Sequence, residues 1–544
     1  MKRVSLFIIC LSIILTLWAV PVCGDTVPLF FNDTLMDLNP PAVRHFGEVY
    51  VEAQSFLSLL GISAEYQDSK VEYSEANSRL YLSIGSDKLV FGDKVHRLWL
   101  EPLYLKDHIY ISIRDLAKIL DFSIFHKDHF LSLTSPYMGA PQKDLLPRYW
   151  IEAVYTGGKI YGNEIIDFTN DRNQGMRDIF LALPAAAVNR ESKMKIHNVL
   201  VNGLPAVYEA KETYLMIDLP FVLEPFDSCR VEISFDTTVP EGAERLGRSG
   251  KISILTCWYP VIPLKRIVPA HVSYGEPYSF KAAKYDLEFT VDVGLQVMTG
   301  LDRLESLQDG TKTIHRFKSE GPIRDLSLVV GSFDIKKVEV EGVSLVYAFK
   351  DYDEEVITHG AGALKLFQKW WGEYPYTSLT LVDVPLKDYQ GMEYGGLLLL
   401  STINRPSAFV IAHEVSHQWW YGLVGNNQDE EAWIDEGLAN YSAILYFEEL
   451  MGKKQYDYFI KSYKKRSQGN SEPIKKAIVE FETETDYSIN AYIRGALFWH
   501  DVRKKIGKGD LLNFLAYIQK LYRHGAVTTE EIKFLLKNFY PYKF

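Results

Sequence analysis

The chain has 544 residues, too many for one compact domain and enough for roughly three or four of about 150 residues each. Hydrophobic residues make up 47% and charged residues 24%, so substantial cores can be buried under an ordinary polar surface. A formal net charge of −11 argues against a basic face that would neutralise phosphates, so no nucleic-acid partner is expected.

Residues 1–24 read as an export signal. Lys2 and Arg3 precede the apolar run "VSLFIICLSIILTLWAV", and Val22-Cys23-Gly24 offers small residues for a cut after Gly24. The run is nearly long enough to span a bilayer, so an uncleaved anchor is the alternative. Either way the protein is expected to be secreted or at the cell surface. Of four cysteines, Cys10 and Cys23 fall in the signal. Cys229 and Cys257 could pair in an oxidising compartment or could be two small buried residues.

Residues 26–135 contain a repeat. "VYVEAQSFLSLLGISAEY" from Val49 aligns with "IYISIRDLAKILDFSIFH" from Ile109, and the same offset matches Leu29, Phe31 and Asp33 to Leu89, Phe91 and Asp93. Each unit predicts short strands, a strand bearing Tyr50 or Tyr110, a helix and further strand. In the second unit Ile113, Leu116, Ala117 and Leu120 share one helical face. Together they predict a small α+β domain. "PYMGAPQKDLLP", residues 136–147, reads as a linker. From about 145 to 338 the pattern alternates with period two, as in "CRVEISFDTTV" and "YDLEFTVDV". It predicts a large antiparallel β domain. "LTCWYPVIP", Leu255 to Pro263, reads as an aromatic and proline loop within it.

The period changes for residues 339–544. "EEVITHGAGALKLFQKWWGEYPY" predicts a helix stopping near Gly372, and "YQGMEYGGLLLLS" a glycine-flanked strand. Helices dominate from Phe409 onward, most ending at glycine.

The chemistry centres on "VIAHEVSHQWWYG", Val410 to Gly422. His413 and His417, four apart on a helix, place both imidazoles on one face, as two ligands of one Zn²⁺ require. Glu414 beside them can take a proton from a water activated by the metal. The bland alternative is a helix whose two histidines hydrogen-bond in the core. A catalytic zinc needs a third protein ligand and an open position. Glu436 in "AWIDEGLANY", a short way beyond His417, opens a second apolar helix that can fold back on the first. "DYQGMEYGG" lies upstream of the histidines, and "AYIRGA", with Tyr492, lies downstream of Glu436.

In that order, "GMEYGG", "HEVSHQWW", "WIDEGLANY" and "AYIRGA" resemble the M1 family of zinc aminopeptidases, the gluzincins that include aminopeptidase N and leukotriene A4 hydrolase. The resemblance spans roughly residues 145–544. It implies a β-rich domain followed by a thermolysin-like α+β catalytic domain. It further implies that His413, His417 and Glu436 hold one Zn²⁺ per chain, that Glu414 is the general base, and that Tyr492 stabilises the oxyanion. Glu393 would bind the free α-amino group of a peptide substrate. Gly391, Gly395 and Gly396 would let the substrate backbone approach that strand, and Met392 would wall the first side-chain pocket. The 26–135 repeat resembles the copper amine oxidase N-terminal-like domain of secreted and cell-wall bacterial proteins. That implies a spacer or a contact with the cell wall or surface rather than a copper site.

Three departures bear on specificity. The family's G-A-M-E-N reads Gln390-Gly391-Met392-Glu393-Tyr394, Arg494 replaces a lysine, and "ILTCWYPVIP" offers no obvious second amine-binding carboxylate or amide. With the sequence ending at Phe544, a cleft without a large C-terminal helical domain over it is expected. The leading expectation is an exported zinc metallopeptidase releasing N-terminal residues. The alternatives are a thermolysin-type endopeptidase and a non-catalytic cell-surface binding protein that keeps the peptidase fold.

Overall fold

The structure, a computed structural model, describes residues 146–544 except 172–174, 225–226, 267, 269–270, 272–273, 277–278 and 541–542. Before residue 146 it describes short strand segments and the single residues Ser55 and Ile113. The expected signal, apart from Leu11–Ser12, and the helices expected within each repeat lie outside the described residues. Contact density divides the chain into residues 1–143 with 533–544, and residues 144–532.

In the first unit the repeat appears as strand pairing. Val43–His45 and Glu48–Glu52 form one hairpin, and Leu103–Leu105 and His108–Ser112 form its counterpart in the second repeat. The two hairpins meet antiparallel, with Val51 opposite Ile111 and Tyr50 opposite Ser112. Val51 and Ile111 are themselves repeat equivalents, so the pairing is centred on a local twofold. Tyr50, Val51, Tyr110 and Ile111 are buried there.

The second unit begins with an eight-stranded sheet. Its centre is Ser228–Thr238, Lys159–Thr169, Arg148–Thr156, Lys284–Asp292 and Lys312–Lys318, in that spatial order. Alternate residues face the core, as period two requires. The sheet is not wholly antiparallel: Arg148–Thr156 and Lys284–Asp292 run parallel. "LTCWYPVIP" is a loop, but a buried one, with Trp258 and Tyr259 in the β core. Cys229 and Cys257 are buried and not disulfide-bonded.

The segment "DLSLVVGSFDI" divides between two sheets: Leu328–Gly331 lies inside a four-stranded sheet, and the next strand opens another. That five-stranded sheet comprises β1 (Asp334–Val340), β2 (Val343–Phe349), β3 (Ser378–Val384), β4 (Gly391–Tyr394) and β5 (Leu397–Ser401). Its order is β1-β2-β3-β5-β4. β2, β3 and β5 run parallel, and β4 is an antiparallel edge strand. The stretch expected as one glycine-flanked strand is therefore a hairpin. Gly396, at φ 68°, makes its turn, a conformation that costs other residues strain. Gly300 approaches so closely that a Cβ on it would fall 1.9 Å from the Gly395 carbonyl oxygen.

Helix α1 (Glu354–Trp371) crosses this sheet, N-capped by Asp353, which accepts from the Glu355 amide. α2 (Ala408–Ser416) is N-capped by Ser407 and carries the histidine motif. A single turn, α3 (Gln428–Glu431), leads into α4 (Trp433–Met451), and α5 (Lys453–Arg466) follows. α6 (Glu484–Ser488) runs on into a π-helical stretch, Ile489–Arg494, and then α7 (Gly495–Ile506). α8 (Lys508–Leu521) and α9 (Thr529–Phe539) end the chain. Among the described residues, no helix is long and apolar enough to cross a membrane.

Candidate active site

α2 is short and ends at Ser416, so His417 is its C-terminal cap. His417 keeps helical backbone angles, and its imidazole stays on the face of His413, with ring centroids 4.7 Å apart. "QWWYG" follows as packed chain, with Trp419 and Trp420 fully buried, but it does not extend the helix. The backbone instead closes wide turns in which the Gly422 amide donates to the His417 carbonyl and Leu423 to that of Gln418. Tyr421 holds φ at 139°.

α4 delivers the third group. Gly437 follows Glu436, and Gly495 opens α7. A Cβ on Gly437 would lie 2.6 Å from the Gly495 Cα, so two glycines let these helices cross in backbone contact. The crossing sets the π-helical stretch against the start of α4, which is where Tyr492 meets Glu436. π-Helical turns recur at functional sites because the extra residue re-aims a side chain.

The resulting cluster is tight and buried. His413 Nε2 and His417 Nε2 lie 3.0 Å apart, and Glu436 Oε2 lies 3.2 Å from the first and 3.4 Å from the second. Three ligand atoms each about 2.0–2.2 Å from a tetrahedral Zn²⁺ are separated by roughly 3.3–3.6 Å, so the spacing suits the ion. Glu436 Oε2 has no hydrogen-bond partner despite its burial. The His417 Nδ1–H donates to the Trp420 carbonyl at 2.9 Å, which leaves the Nε2 lone pair for a metal. Asn440, one turn beyond Glu436, lies close to His413. Identity, spacing and tautomer of the donor set fit Zn²⁺.

Glu414 lies against β4. A Cβ on Gly391 would fall 2.5 Å from Glu414 Oε1 and 2.6 Å from its Cγ, so only glycine lets β4 lie against this carboxylate. Glu393 projects from the same face of β4. Single oxygens or nitrogens of Glu393, Glu414 and His417 all lie within 4.8 Å of one another. Glu393 Oε1 and Glu414 Oε2 are buried without hydrogen-bond partners. Burial raises both carboxyls well above the usual range, and each is pushed further by neighbouring carboxylates. Burial alone would lower His417, but the Glu393, Glu436 and Glu414 carboxylates outweigh it and raise it well above normal. His413 is lowered, chiefly by burial. Glu436 is drawn down to about 2, because the close approach and charge of the two histidines overcome its burial. The site gathers several carboxyl groups in a buried place, where a cation would relieve them.

Gly391→Ala is therefore expected to displace the Glu414 carboxylate by about an ångström and lower kcat by about 10- to 100-fold, with little change in melting temperature. Steady-state kinetics beside a thermal melt would show it; unchanged kcat would mean that Glu414 can yield freely.

The Tyr492 hydroxyl donates to Glu436 Oε1 at 2.5 Å, and its ring stacks on His413 at 5.8 Å with a 14° tilt. Arg494, in the lysine position, reaches the other way. It donates to Asn470 Oδ1 at 3.0 Å and to the Glu472 carbonyl, tying the π-helical stretch to the loop before it. Met392 is not a pocket wall. Alternation puts Met392 and Tyr394 on the opposite face of β4 from Glu393, in an apolar cluster with Ile254, Met298, Val329 and Leu399. The tyrosine in place of asparagine is thus a core residue pointing away from the cleft.

Two residues that the sequence did not single out also lie here. Glu276, in the β-domain loop "YGEPY", pairs with Arg245 at 3.0 Å, both side chains buried. Burial lifts its carboxyl to about 8 in spite of Arg245, and Glu436 and Asp435 add to the rise. Tyr487 is buried against Tyr492 with its hydroxyl unpartnered. Burial raises its pKa well above normal, reinforced by Glu436, Glu276, Asp435 and Glu393. A lone glutamate between prolines and aromatics carries no periodic signal. A tyrosine one helical turn and a half before Tyr492 was the only available cue for the second.

Residues 357–541 match the Peptidase family M1 domain. Leukotriene A-4 hydrolase of Xenopus laevis is 26% identical over 392 residues, covering 64% of this chain and 62% of that protein. Leucine aminopeptidase 2 of Aspergillus oryzae is 23% identical over 266 residues, covering 44% and 42%. The chain thus spans less than two thirds of the length of these relatives. The M1 zinc metallopeptidase from Deinococcus radiodurans has a similar fold, with a TM-score of 0.59 at 19% identity, over 73% of this chain and 90% of that one. A mutant of the Deinococcus enzyme bound to a Tyr-Ser-Ala substrate superposes with a TM-score of 0.58 at 18% identity, over 72% and 90%.

Proposed function

With residues 357–541 a peptidase family M1 domain, we propose that this protein is a zinc-dependent aminopeptidase that hydrolyses the first peptide bond of substrates with a free N-terminus. The observation that carries the exopeptidase reading is Glu393: a buried carboxylate, 5% exposed, with an unpartnered oxygen beside Glu414 and the metal ligand His417. A substrate ammonium would supply the missing donor and cation together, and charge-assisted hydrogen bonds of this kind are the strong ones. β4 is an edge strand, so the substrate backbone can lie along it.

His413, His417 and Glu436 would hold Zn²⁺, which supplies Lewis acidity toward the attacking water and the scissile carbonyl. Glu414 accepts the proton of that water and returns it to the leaving amine. Tyr492 donates its hydroxyl to the carbonyl oxygen as that oxygen gains charge. Glu393 fixes the α-amine, and with it the distance from the chain's first residue to the bond that breaks. The basic start and apolar run at the N-terminus support an exported location, and the repeat domain supports a surface contact there.

The test is hydrolysis of aminoacyl reporter amides with free and acetylated N-termini, before and after chelation. Activity confined to the free-amine substrate, lost on zinc removal and restored by Zn²⁺, is expected. Equal cleavage of the acetylated substrate would replace this reading with an endopeptidase; no hydrolysis by the zinc-loaded protein would end the enzymatic one.

A further inference from the structure

Glu393 and His417 belong to different elements. Two side chains outside the chemistry, Gln418 and Asp325, hydrogen-bond one element to the other, and Arg324 holds the chain that follows His417. Gln418 Nε2 donates to the Tyr394 carbonyl at 3.0 Å, and Gln418 Oε1 accepts from the Gly396 amide at 2.9 Å. The other two, Arg324 and Asp325, come from the β-domain loop before Leu328.

Arg324 is 2% exposed and pairs with carbonyls rather than with a carboxylate. Its Nε donates to Tyr421 at 2.6 Å, Nη1 to Phe280 at 3.0 Å, and Nη2 to Gly525 at 2.7 Å and more weakly to Leu423 at 3.4 Å. A Cβ on Gly425 would lie 2.6 Å from its guanidinium carbon, so the chain after the zinc helix is wrapped closely around it. Asp325, 4% exposed, reaches the other element. Its Oδ2 accepts from the Gly395 amide at 2.9 Å and from the Tyr421 hydroxyl at 2.7 Å, and its Oδ1 accepts from Ser327. Gly395 lies two positions after Glu393, and its missing Cβ leaves room for Ile323. One dipeptide thus grips both the turn that ends β4 and the wide turn that follows His417.

We infer that Arg324 and Asp325 are positioning residues for the amine subsite: through Gly395 and Tyr421 they fix Glu393 at its distance from the zinc ligand His417. A buried, unbridged Arg and Asp are costly merely to hold two loops together, since apolar side chains would fill the same space without desolvating charge. Directional bonds from one rigid dipeptide to both elements provide registration, which apolar packing does not. The substrate amine then meets Glu393 at a distance set by the β domain rather than by the hairpin alone. The inference rests on the amine role proposed for Glu393.

The probe is a pair of inhibitors, leucine hydroxamic acid and the same molecule without its α-amine, 4-methylpentanohydroxamic acid. Both ligate zinc, so the ratio of their inhibition constants isolates the amine contact. The wild type should favour the aminated compound by about 100-fold, and Glu393→Gln sets the floor. Asp325→Ala should lose about tenfold of this ratio. Asp325→Asn, which keeps an acceptor and the side-chain shape, should lose less. Tyr421→Phe, which spares the Gly395 bond, should lose least. A ratio unchanged in both Asp325 variants, with the two affinities falling together or only the melting temperature falling, overturns the inference and leaves a structural role. A wild-type ratio near one instead overturns the amine reading, and the positioning inference falls with it.

Discussion

Glu414→Gln should lower kcat/KM for an aminoacyl amide by about a thousandfold while leaving zinc content at one per chain. The substitution is nearly isosteric, so Gly391 and β4 meet the same shape. An amide has no basic oxygen lone pair to accept a proton at neutral pH, and it cannot pass one to the leaving amine. Stability should not suffer. Burial raises the Glu414 carboxyl well above its normal range, and Glu393 raises it further, so the native site holds this group at a cost that the neutral amide relieves. The melting temperature of the variant is expected to equal or exceed that of the wild type. Kinetics, metal analysis and a thermal melt on the two proteins test all three statements. Near wild-type turnover in the variant would remove Glu414 from the chemistry, while loss of zinc together with activity would mean that its charge holds the metal.

The metal-binding half of this site was legible because it is local. His413 and His417 are one helical turn apart, and Glu436 follows at a distance that a helix, a turn and a second helix can close. The three converge because Gly437 and Gly495 let α4 and α7 touch, a pairing visible only once the helices are placed. Glu393 stands out only through the family resemblance, and its strand reads as continuous with the apolar run after it. Four leucines in a row outweigh Gly395-Gly396 in a period count, whereas φ of 68° at Gly396 decides the chain's course. Met392 was misplaced for a related reason: alternation says that neighbours on a strand face opposite ways, but not which way faces the cleft.

The residues that were not legible are single charges far away in sequence. Arg324 lies 97 residues before Tyr421, whose carbonyl it caps, and Glu276 is more distant still from Glu436. Each stands in β-rich sequence whose period two reports only inside and outside. A buried arginine satisfied by carbonyls leaves no partner of opposite charge to look for. The altered motif positions have structural answers. Tyr394 fills the core behind β4, and Arg494 anchors the π-helical stretch to Asn470 and Glu472 through Nη1.

Tyr492→Phe should lower kcat by about 100- to 1,000-fold and leave KM within about threefold of the wild type. The ring keeps its stacking on His413, so the π-helical stretch and the histidine orientation have no reason to move. What disappears is one hydroxyl. Before substrate binds, that hydroxyl donates to Glu436 Oε1. The substrate's carbonyl oxygen becomes a better acceptor for that hydroxyl as negative charge builds on it. The bond is therefore stronger in the transition state than in the ground state, which is why the loss should fall on kcat rather than on KM. A purely structural tyrosine predicts the reverse: lower stability, lost zinc and a defect shared between kcat and KM. Measuring kcat, KM, zinc content and melting temperature of Tyr492→Phe on one reporter amide separates the two. If kcat survives within about tenfold, the oxyanion donor must be another group, and the unpartnered hydroxyl of Tyr487, packed against Tyr492, is the next to test.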